Sequence, residues 1–179
     1  DDTLILFLSD HGELLGSRGV RAFSKYNLYE QAIRVPFIVK PPKGFRAGLT
    51  SDSLVNLLDV LPTAFDFADL DIPPHLPGVS LKPLVDGGTI ERERSVAITE
   101  LQRPEGLGLS IRNREWQHIR GPHGTELYHI ESDPYEFVNL ANDPDCALQI
   151  AELHASLIAE YRWVFNRASR QGTDYPTQA

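Results

Sequence analysis

Methionine is absent from the 179 residues, and cysteine occurs once, as Cys146. A single cysteine excludes an intrachain disulfide and a zinc site built from several thiolates, and its position favours a structural role. No apolar run approaches the ~20 residues of a membrane-spanning helix. Because the chain lacks methionine and opens on Asp1-Asp2-Thr3 directly before an apolar run, we expect it to begin inside a longer protein.

Basic residues are fewer than acidic ones, with 17 Lys and Arg against 25 Asp and Glu, which gives a formal net charge of −8. A field of that sign repels phosphate backbones and anionic lipid surfaces. We therefore expect no nucleic-acid partner, and an anionic small substrate would need a locally positive pocket. The apolar fraction of 41% is enough for a sizeable core.

The first 95 residues alternate short apolar runs with turn-rich connections. The continuous run 4–8 predicts a strand of a parallel sheet that is buried on both faces. Residues 35–40 predict a second strand, and a helix is expected from about 60 to 69, with Asp59 as its N-cap. These features predict an α/β unit over residues 1–95.

The pattern changes after Ser95. Short alternating strands are predicted at 96–100, 109–112, 116–120 and 126–130, which indicates a small antiparallel sheet. A last amphipathic helix is predicted over about 147–167, with one apolar stripe formed by Ile150, Leu153, Leu157, Ile158, Tyr161 and Phe165. The tail from 171 to 179 is expected to be loose. The second unit is therefore placed at residues 96–179.

The residues directly after the first apolar run are candidate metal ligands. Asp10 and His11 stand at the strand end where α/β sheets place ligands, and Gly12 allows a sharp turn after them. A hard cation favours Asp10, whereas His11 widens the choice to softer metals. Taken alone, an ordinary turn explains this pattern better.

A longer pattern changes that balance. Ser9-Asp10-His11-Gly12 is followed by Lys25-Tyr26-Asn27-Leu28-Tyr29-Glu30 and then by Arg34-Val35-Pro36. This order resembles the sulfatase family, in which an apolar strand ending in Ser-Asp-His-Gly is followed by a Lys-x-x-x-Tyr-Glu element and an Arg-Val-Pro strand.

Further family elements recur in the same order along the chain. The Asp-Leu-Leu-Pro-Thr helix is here Asp59-Val60-Leu61-Pro62-Thr63, and the Gly-x-Ser-Leu-x-Pro-Leu connection spans residues 78–84. The closing hairpin is similar to residues 126–130, Asp133-Pro134-x-Glu136 and Asn139-Leu140-Ala141. These matches cover most of the chain, and their joint specificity is high.

The resemblance implies an alkaline-phosphatase-like α/β fold. Residues 1–95 would be the C-terminal part of its mixed catalytic sheet, and residues 96–179 a small α+β subdomain with an antiparallel sheet and a long terminal helix. It further implies that Asp10 and His11 bind a divalent metal, usually Ca²⁺. Lys25 would contact the sulfate as a catalytic and substrate-binding residue, because a fixed ammonium and a cation stabilise the negative charge of a sulfate ester.

One family feature is missing from the chain. Sulfatases use a formylglycine made from a Cys/Ser-x-Pro/Ala-x-Arg motif, which does not occur in these residues. We expect that nucleophile in an upstream half of the same protein, which would be this chain's partner, and we expect the 179 residues alone to be inactive. The implied substrate is a sulfate ester of a small molecule or a carbohydrate.

Two other functions stay open on the sequence. One is a phosphonate monoester or phosphodiester hydrolase of the same superfamily, and the other is a non-catalytic binding or structural segment. Several polar residues have ordinary roles in either case. Arg18, Arg21 and Arg34 are candidates for attracting an anion, with Arg34 equally suited to pairing with an acid. Histidines 118, 123, 129 and 154 are at no ligand-like spacing.

Overall fold

The computed structural model describes residues 1–19, 23–90 and 92–168. The fold is a mixed α/β arrangement with two antiparallel sheets. Its strands are β1 (Ile5–Leu8), β2 (Phe37–Lys40), β3 (Ala97–Arg103), β4 (Gly106–Arg112), β5 (Trp116–Gly121) and β6 (Gly124–His129). Its α-helices are α1 (Glu30–Ile33), α2 (Val60–Phe67), α3 (Lys82–Val85) and α4 (Ala147–Ala168). Within the described ranges, no helix is both long enough and apolar enough to cross a bilayer.

Strands β1 and β2 form a two-stranded sheet, and their pairing is antiparallel. The prediction of a parallel strand buried on both faces is therefore wrong for this chain. Ile5, Phe7 and Ile38 share one face of the pair, and each is more than half exposed, at 52%, 62% and 58%. A continuous apolar run indicates burial on two faces, but it does not encode the direction of the partner strand or the element that covers the second face.

The four strands predicted after residue 95 are confirmed as one antiparallel sheet in the order β3-β4-β5-β6. The predicted turns at 113–115 and 121–124 join the last three strands, and in the second turn Gly121 pairs with Gly124. Each strand follows its predecessor in space, so this sheet is a simple meander. Both of its faces are covered, because α4 packs on one and residues 28–33 pack on the other.

The face toward α4 carries the larger core. Its buried members are Val96, Ile111, Leu127, Cys146 and Leu153. Three of the six residues of the predicted apolar stripe face this core, with Ile150 and Leu157 packed beside the buried Leu153. Ile158 does not, since it is 53% exposed; one residue beyond Leu157 corresponds to about 100° of helix rotation, which turns its side chain outward. The side chain of Phe165 and the predicted loose tail lie outside the described residues.

The opposite face carries a second core that positions the candidate site. Ile119, Tyr128 and Ile130 of the sheet region bury Leu28, and Tyr29 and Ile33 pack against the same cluster. The Lys-x-x-x-Tyr-Glu element is therefore anchored directly on the C-terminal sheet.

The predicted N-cap of α2 has a different role. The Asp59 side chain makes no capping bond to α2; it is fully buried and accepts hydrogen bonds from the backbone N–H groups of Asn56 (2.8 Å) and Val79 (2.9 Å). Asn56 instead caps the short 3-10 helix Leu57–Asp59, because its side-chain oxygen accepts from the N–H of Leu58 at 3.0 Å. A buried carboxylate needs several donors, and a surface capping position would not supply them.

Candidate functional site

The corner after β1 is pressed against α1, and only glycine fits there. The N–H of Gly12 donates to the carbonyl oxygen of Ala32 at 2.7 Å. A Cβ atom added to Gly12 would lie 2.1 Å from the carbonyl oxygen of Gln31, which is far inside van der Waals contact. Gly12 is therefore required for a close approach between two backbones, and this approach fixes Asp10 and His11 relative to α1.

Asp10 and His11 each present an atom that could bind a metal ion, and the two atoms lie on the same side of this corner. The Oδ1 atom of Asp10 accepts from the backbone N–H of His11 at 3.0 Å, and that bond, with the neighbouring imidazole, lowers the pKa of the Asp10 carboxyl. The Nδ1 atom of His11 lies 2.8 Å from the carbonyl oxygen of Gly12. Because a carbonyl only accepts, Nδ1 carries the proton of a neutral ring and Nε2 keeps its lone pair. Nε2 lies 3.7 Å from Oδ2 of Asp10.

This donor pair fits part of a divalent-cation site. The carboxylate favours its ionised form, the second imidazole nitrogen is oriented by a carbonyl, and a 3.7 Å separation lets both atoms contact one ion. Two donors are fewer than the about six to eight that calcium takes. In the part of the chain that the structure describes, no group of three or more His, Cys, Asp or Glu side chains could hold a metal ion. The pair would therefore need further ligands.

Lys25 lies on the loop that adjoins this corner. The N–H of Ser24, its chain neighbour, donates to Oε1 of Glu13, so the loop is tied to the segment that follows His11. The Lys25 side chain is exposed, and its Nζ lies 5.9 Å from the ring centre of Tyr26. No ion pair joins Lys25 to a carboxylate within residues 1–19, 23–90 and 92–168. The structure thus brings Asp10 and His11 together and gives Lys25 no direct contact with either.

Glu30, the last residue of the Lys-x-x-x-Tyr-Glu element, is an internal anchor. It is 8% exposed, and its Oε1 lies 2.7 Å from Nε of Arg112 on β4. Its Oε2 lies 3.8 Å from Arg34, as expected for an arginine that pairs with a nearby acid. This pairing fixes α1 to the C-terminal sheet.

Glu136 binds the backbone of Glu30. It is fully buried, and its Oε2 accepts a hydrogen bond from the N–H of Glu30 at 2.9 Å. Its Oε1 has no hydrogen-bond partner among the described residues. Burial raises the pKa of Glu136 to about 7, and the bond from Glu30 opposes that shift. The sequence indicated the Asp-Pro-x-Glu pattern, but nothing in it pointed to a partner 106 positions away.

Arg18 is engaged in the same region. Its guanidinium carbon lies 3.7 Å from the ring centre of Tyr29, and its Nη1 donates to the carbonyl oxygens of Tyr135, at 3.0 Å, and Glu136. Arg18 therefore has structural partners, unlike a free cation that would attract a substrate. Arg21 lies outside the described residues.

His118 and His154 form a pair that sequence spacing missed. Their Nε2 atoms are 3.0 Å apart, which joins β5 to α4. Nδ1 of His118 lies 3.0 Å from the carbonyl oxygen of Glu126, so it donates, and Nε2 of His118 accepts from His154. Burial lowers the pKa of both rings, and the charge of Arg120 adds to that effect. The two histidines are 36 positions apart, so only the packing of α4 on the sheet reveals them.

Comparisons with known proteins agree with this architecture. A family model described as N-sulphoglucosamine sulphohydrolase, C-terminal, matches residues 19–162. A choline-sulfatase of Rhizobium meliloti (strain 1021) is 35% identical over 98% of this chain and 38% of its own length. A solved protein in complex with its substrate D-glucosamine-2-N,6-O-disulfate has a TM-score of 0.82 and 28% identity, over 91% of this chain and 35% of its own. A phosphonate monoester hydrolase of Agrobacterium radiobacter has a TM-score of 0.79 and 26% identity, and the match covers 90% of this chain and 35% of that protein.

The fold and the order of the motifs define a C-terminal portion of mixed α/β class, with a four-stranded antiparallel sheet and a long terminal helix. The chain belongs to the sulfatase family, within which it matches the C-terminal region. It spans little more than a third of the length of the choline-sulfatase that it matches.

Proposed function

We propose that the protein carrying this chain is a sulfatase that hydrolyses a sulfate monoester. The observation that supports this most directly is the corner after β1, where Gly12 holds the Asp10–His11 donor pair against α1. The loop that presents Lys25 is tied to the same corner through Glu13. Membership of the sulfatase family supports the reaction class.

Asp10, His11 and Lys25 would have separate roles in this reaction. Asp10 and His11 would hold a divalent cation, most consistent with Ca²⁺ for the carboxylate, together with ligands from elsewhere in the protein. A bound cation supplies positive charge to the sulfate oxygens. Lys25, whose ammonium has no carboxylate partner among the described residues, would hold the sulfate and stabilise charge that develops on it.

The nucleophile would come from a formylglycine in the N-terminal part of the same protein. The exposed apolar face formed by Ile5, Phe7 and Ile38 supports such a partner, because contiguous exposed apolar surface marks an interaction site. That part would cover the face and extend the β1–β2 sheet. The 179 residues alone would then hydrolyse no sulfate ester, and turnover by the isolated chain would contradict this assignment.

The substrate class that we propose is a sulfated carbohydrate or a small sulfated alcohol. The similarity to a choline-sulfatase and to a protein solved with a disulfated glucosamine supports both members of this class. An overall net charge of −8 means that such an anion would be attracted by the bound cation and Lys25 rather than by the whole surface.

The test uses the full-length protein with Asp10→Ala and Lys25→Ala variants. Asp10→Ala should lower the bound calcium, measured by atomic spectroscopy after dialysis, and should abolish hydrolysis of an aryl sulfate. Lys25→Ala should keep the metal and lower kcat/KM to a residual but measurable value, by about 100-fold to 1,000-fold. Asp2→Ala is a matched control, because it removes an exposed carboxylate of the same strand region. Unchanged metal content and activity in both site variants would support a non-catalytic segment instead.

Hydrolysis of phosphonate monoesters is the second candidate, supported by the likeness to a phosphonate monoester hydrolase. Both reactions need a fixed cation and an ammonium beside a tetrahedral anion. Specificity constants for an aryl sulfate and an aryl phosphonate of the same leaving group separate them. A ratio that favours the phosphonate would replace the sulfatase assignment.

A further inference from the structure

The loop after β6 directs one acidic side chain into the molecule. Asp133 accepts hydrogen bonds from the N–H groups of Phe137 (3.0 Å) and Val138 (2.8 Å), which closes the loop on itself. Within it, Glu136 has a φ of +58°, a left-handed conformation that is unfavourable for a side chain other than glycine. The loop thus maintains a strained backbone at the residue whose carboxylate is buried, and such strain persists only where the surroundings impose it.

The buried carboxylate reaches the start of α1. Its Oε2 accepts from the N–H of Glu30, the first residue of that helical turn, at 2.9 Å. N–H groups at a helix start have no partner within the helix, so Glu136 supplies the acceptor that α1 lacks.

Two further contacts hold the adjacent atoms. The Glu30 carboxylate is fixed by Arg112, with 2.7 Å between Oε1 and Nε, so backbone and side chain of one residue are both bound to the C-terminal sheet and its following loop. Arg18 stacks on Tyr29 and bonds the carbonyl oxygens of Tyr135 and Glu136. Residues 29 and 30 are therefore held by three side chains, those of Glu136, Arg112 and Arg18, and this fixes the point from which the chain runs back toward residue 25.

We propose that Glu136 is a positioning residue for the sulfate site: by fixing the start of α1, it sets the direction in which the preceding loop presents Lys25. This inference rests on the proposed function of Lys25. It adds that the C-terminal loop, far from Lys25 in sequence, controls the geometry of the anion site without touching the substrate.

The choice of a carboxylate at this place supports a positioning role over simple filling of space. One oxygen of Glu136 has no hydrogen-bond partner among the described residues, and an apolar side chain would fill the volume without that unbonded polar atom. An apolar side chain would, however, leave the N–H of Glu30 without an acceptor.

The first measurement compares Glu136→Ala and Glu136→Gln in the full-length protein. Glu136→Ala should lower kcat/KM for a sulfate ester by about tenfold to 100-fold, the range that misplacement by about 1 Å produces. Glu136→Gln should stay within about threefold of wild type, since an amide oxygen can still accept from Glu30. Ile111→Val is the control, because it trims a fully buried residue on the other face of the sheet. A loss in Glu136→Ala no larger than in Ile111→Val at equal loss of stability would overturn the proposal.

The second measurement is a double-mutant cycle with Lys25→Ala. If Glu136 acts through Lys25, adding Glu136→Ala to Lys25→Ala should lower kcat/KM by less than about twofold. If the losses of the two single variants multiply in the double variant, the positioning role is overturned, and the proposed function stays intact. An unchanged rate in Lys25→Ala alone would overturn the role of Lys25 itself, and the positioning role with it.

Amide hydrogen exchange gives a readout that does not depend on turnover. In Glu136→Ala, the amides of residues 24–30 should exchange at least about tenfold faster, whereas those of α4 should keep their wild-type rates. Equal acceleration in α4 would indicate general destabilisation and would overturn the proposal.

Discussion

Arg94 and Asp59 form a buried ion pair with two contacts, Nη1 to Oδ2 at 2.6 Å and Nη2 to Oδ1 at 2.7 Å. Glu160 of α4 approaches the same guanidinium, with 3.4 Å between Oε1 and Nε. Three segments that are distant in the sequence therefore meet at one arginine: the turn before α2, the connection before β3 and the terminal helix. Because the carboxylate of Asp59 also binds the backbone of Val79, this pair organises the junction of these segments.

Replacing Arg94 by alanine should destabilise the full-length protein strongly. The change leaves the Asp59 carboxylate buried without its counter-charge, and losing one partner of a buried pair costs about 3–5 kcal/mol. Urea unfolding monitored by tryptophan fluorescence measures the free energy of unfolding. Arg114→Ala is the matched control, since Arg114 and Glu93 form an ion pair whose side chains are both more than 60% exposed; there the expected cost is below about 1 kcal/mol. Equal costs for the two variants would contradict the assignment of Arg94 as an organising residue.

Gly12→Ala should loosen the corner that carries Asp10 and His11. The added methyl group overlaps the carbonyl oxygen of Gln31, so β1 and α1 must separate, with an expected loss of about 1–3 kcal/mol in stability. Calcium affinity, measured by isothermal titration calorimetry, should fall with it.

The control for this change is Gly121→Ala, because a methyl group there meets only ordinary contact, 3.7 Å from Cα of Gly108. In that strand, alanine should be neutral or slightly stabilising, by up to about 1 kcal/mol. If Gly12→Ala keeps the metal affinity of the wild type, the close approach of the two backbones does not support the metal site.

The His118–His154 pair predicts a pH dependence of stability. Both pKa values are lowered in the folded state, first by burial; His154 adds to the lowering at His118, and the charge of Arg120 adds to it at both rings. The unfolded chain therefore binds more protons than the folded one once the pH falls toward the unfolded value of 6.5. The contribution of this pair to the free energy of unfolding should decrease as the pH drops from about 7 through that value and should stop decreasing only below the folded pKa values.

Several charged or polar groups surround this pair. Arg120 lies on the same strand as His118, and the carbonyl of Glu126 faces His118 from β6. Urea unfolding between pH 5 and pH 8 should give a shallower slope for His154→Gln than for wild type. Glu136, whose pKa is raised to about 7, contributes a slope of opposite sign, but it is common to both proteins and cancels in the difference. His75→Gln, at an exposed turn, should keep the wild-type slope, and an equal change there would remove the pair as the cause.

Cys146 should be unreactive while the protein is folded. It is a free thiol in the core under α4, and burial raises its pKa, with Asp143 and Asp145 adding to the shift. Since the thiolate is the reactive species, labelling by Ellman's reagent at pH 8 should be slow in buffer and complete within minutes in 6 M urea. Rapid labelling of the native protein would show that this core is open.

Several features were readable from the sequence because they depend on near neighbours in the chain. Period-two alternation and turn residues predicted β3 to β6, and helical periodicity predicted α2 and α4. The ordered motifs, from Asp10-His11-Gly12 to Asp133-Pro134-x-Glu136, indicated the sulfatase family, which the family model confirms over residues 19–162. Metal binding by Asp10 and His11, sulfate contact by Lys25 and the division at residue 95 remain predictions.

Tertiary structure alone decided how distant residues pair. Asp59 has the spacing of an N-cap, yet its carboxylate accepts hydrogen bonds from Arg94 and from the backbone of Val79, because the chain folds back over it. The contact between Glu30 and Glu136 and the His118–His154 pair likewise join residues 106 and 36 positions apart. Local patterns determine the period and the approximate bounds of each element, whereas the partner of a buried polar group depends on which surfaces meet when those elements pack. That information lies in the complementarity of whole faces, and no single motif carries it.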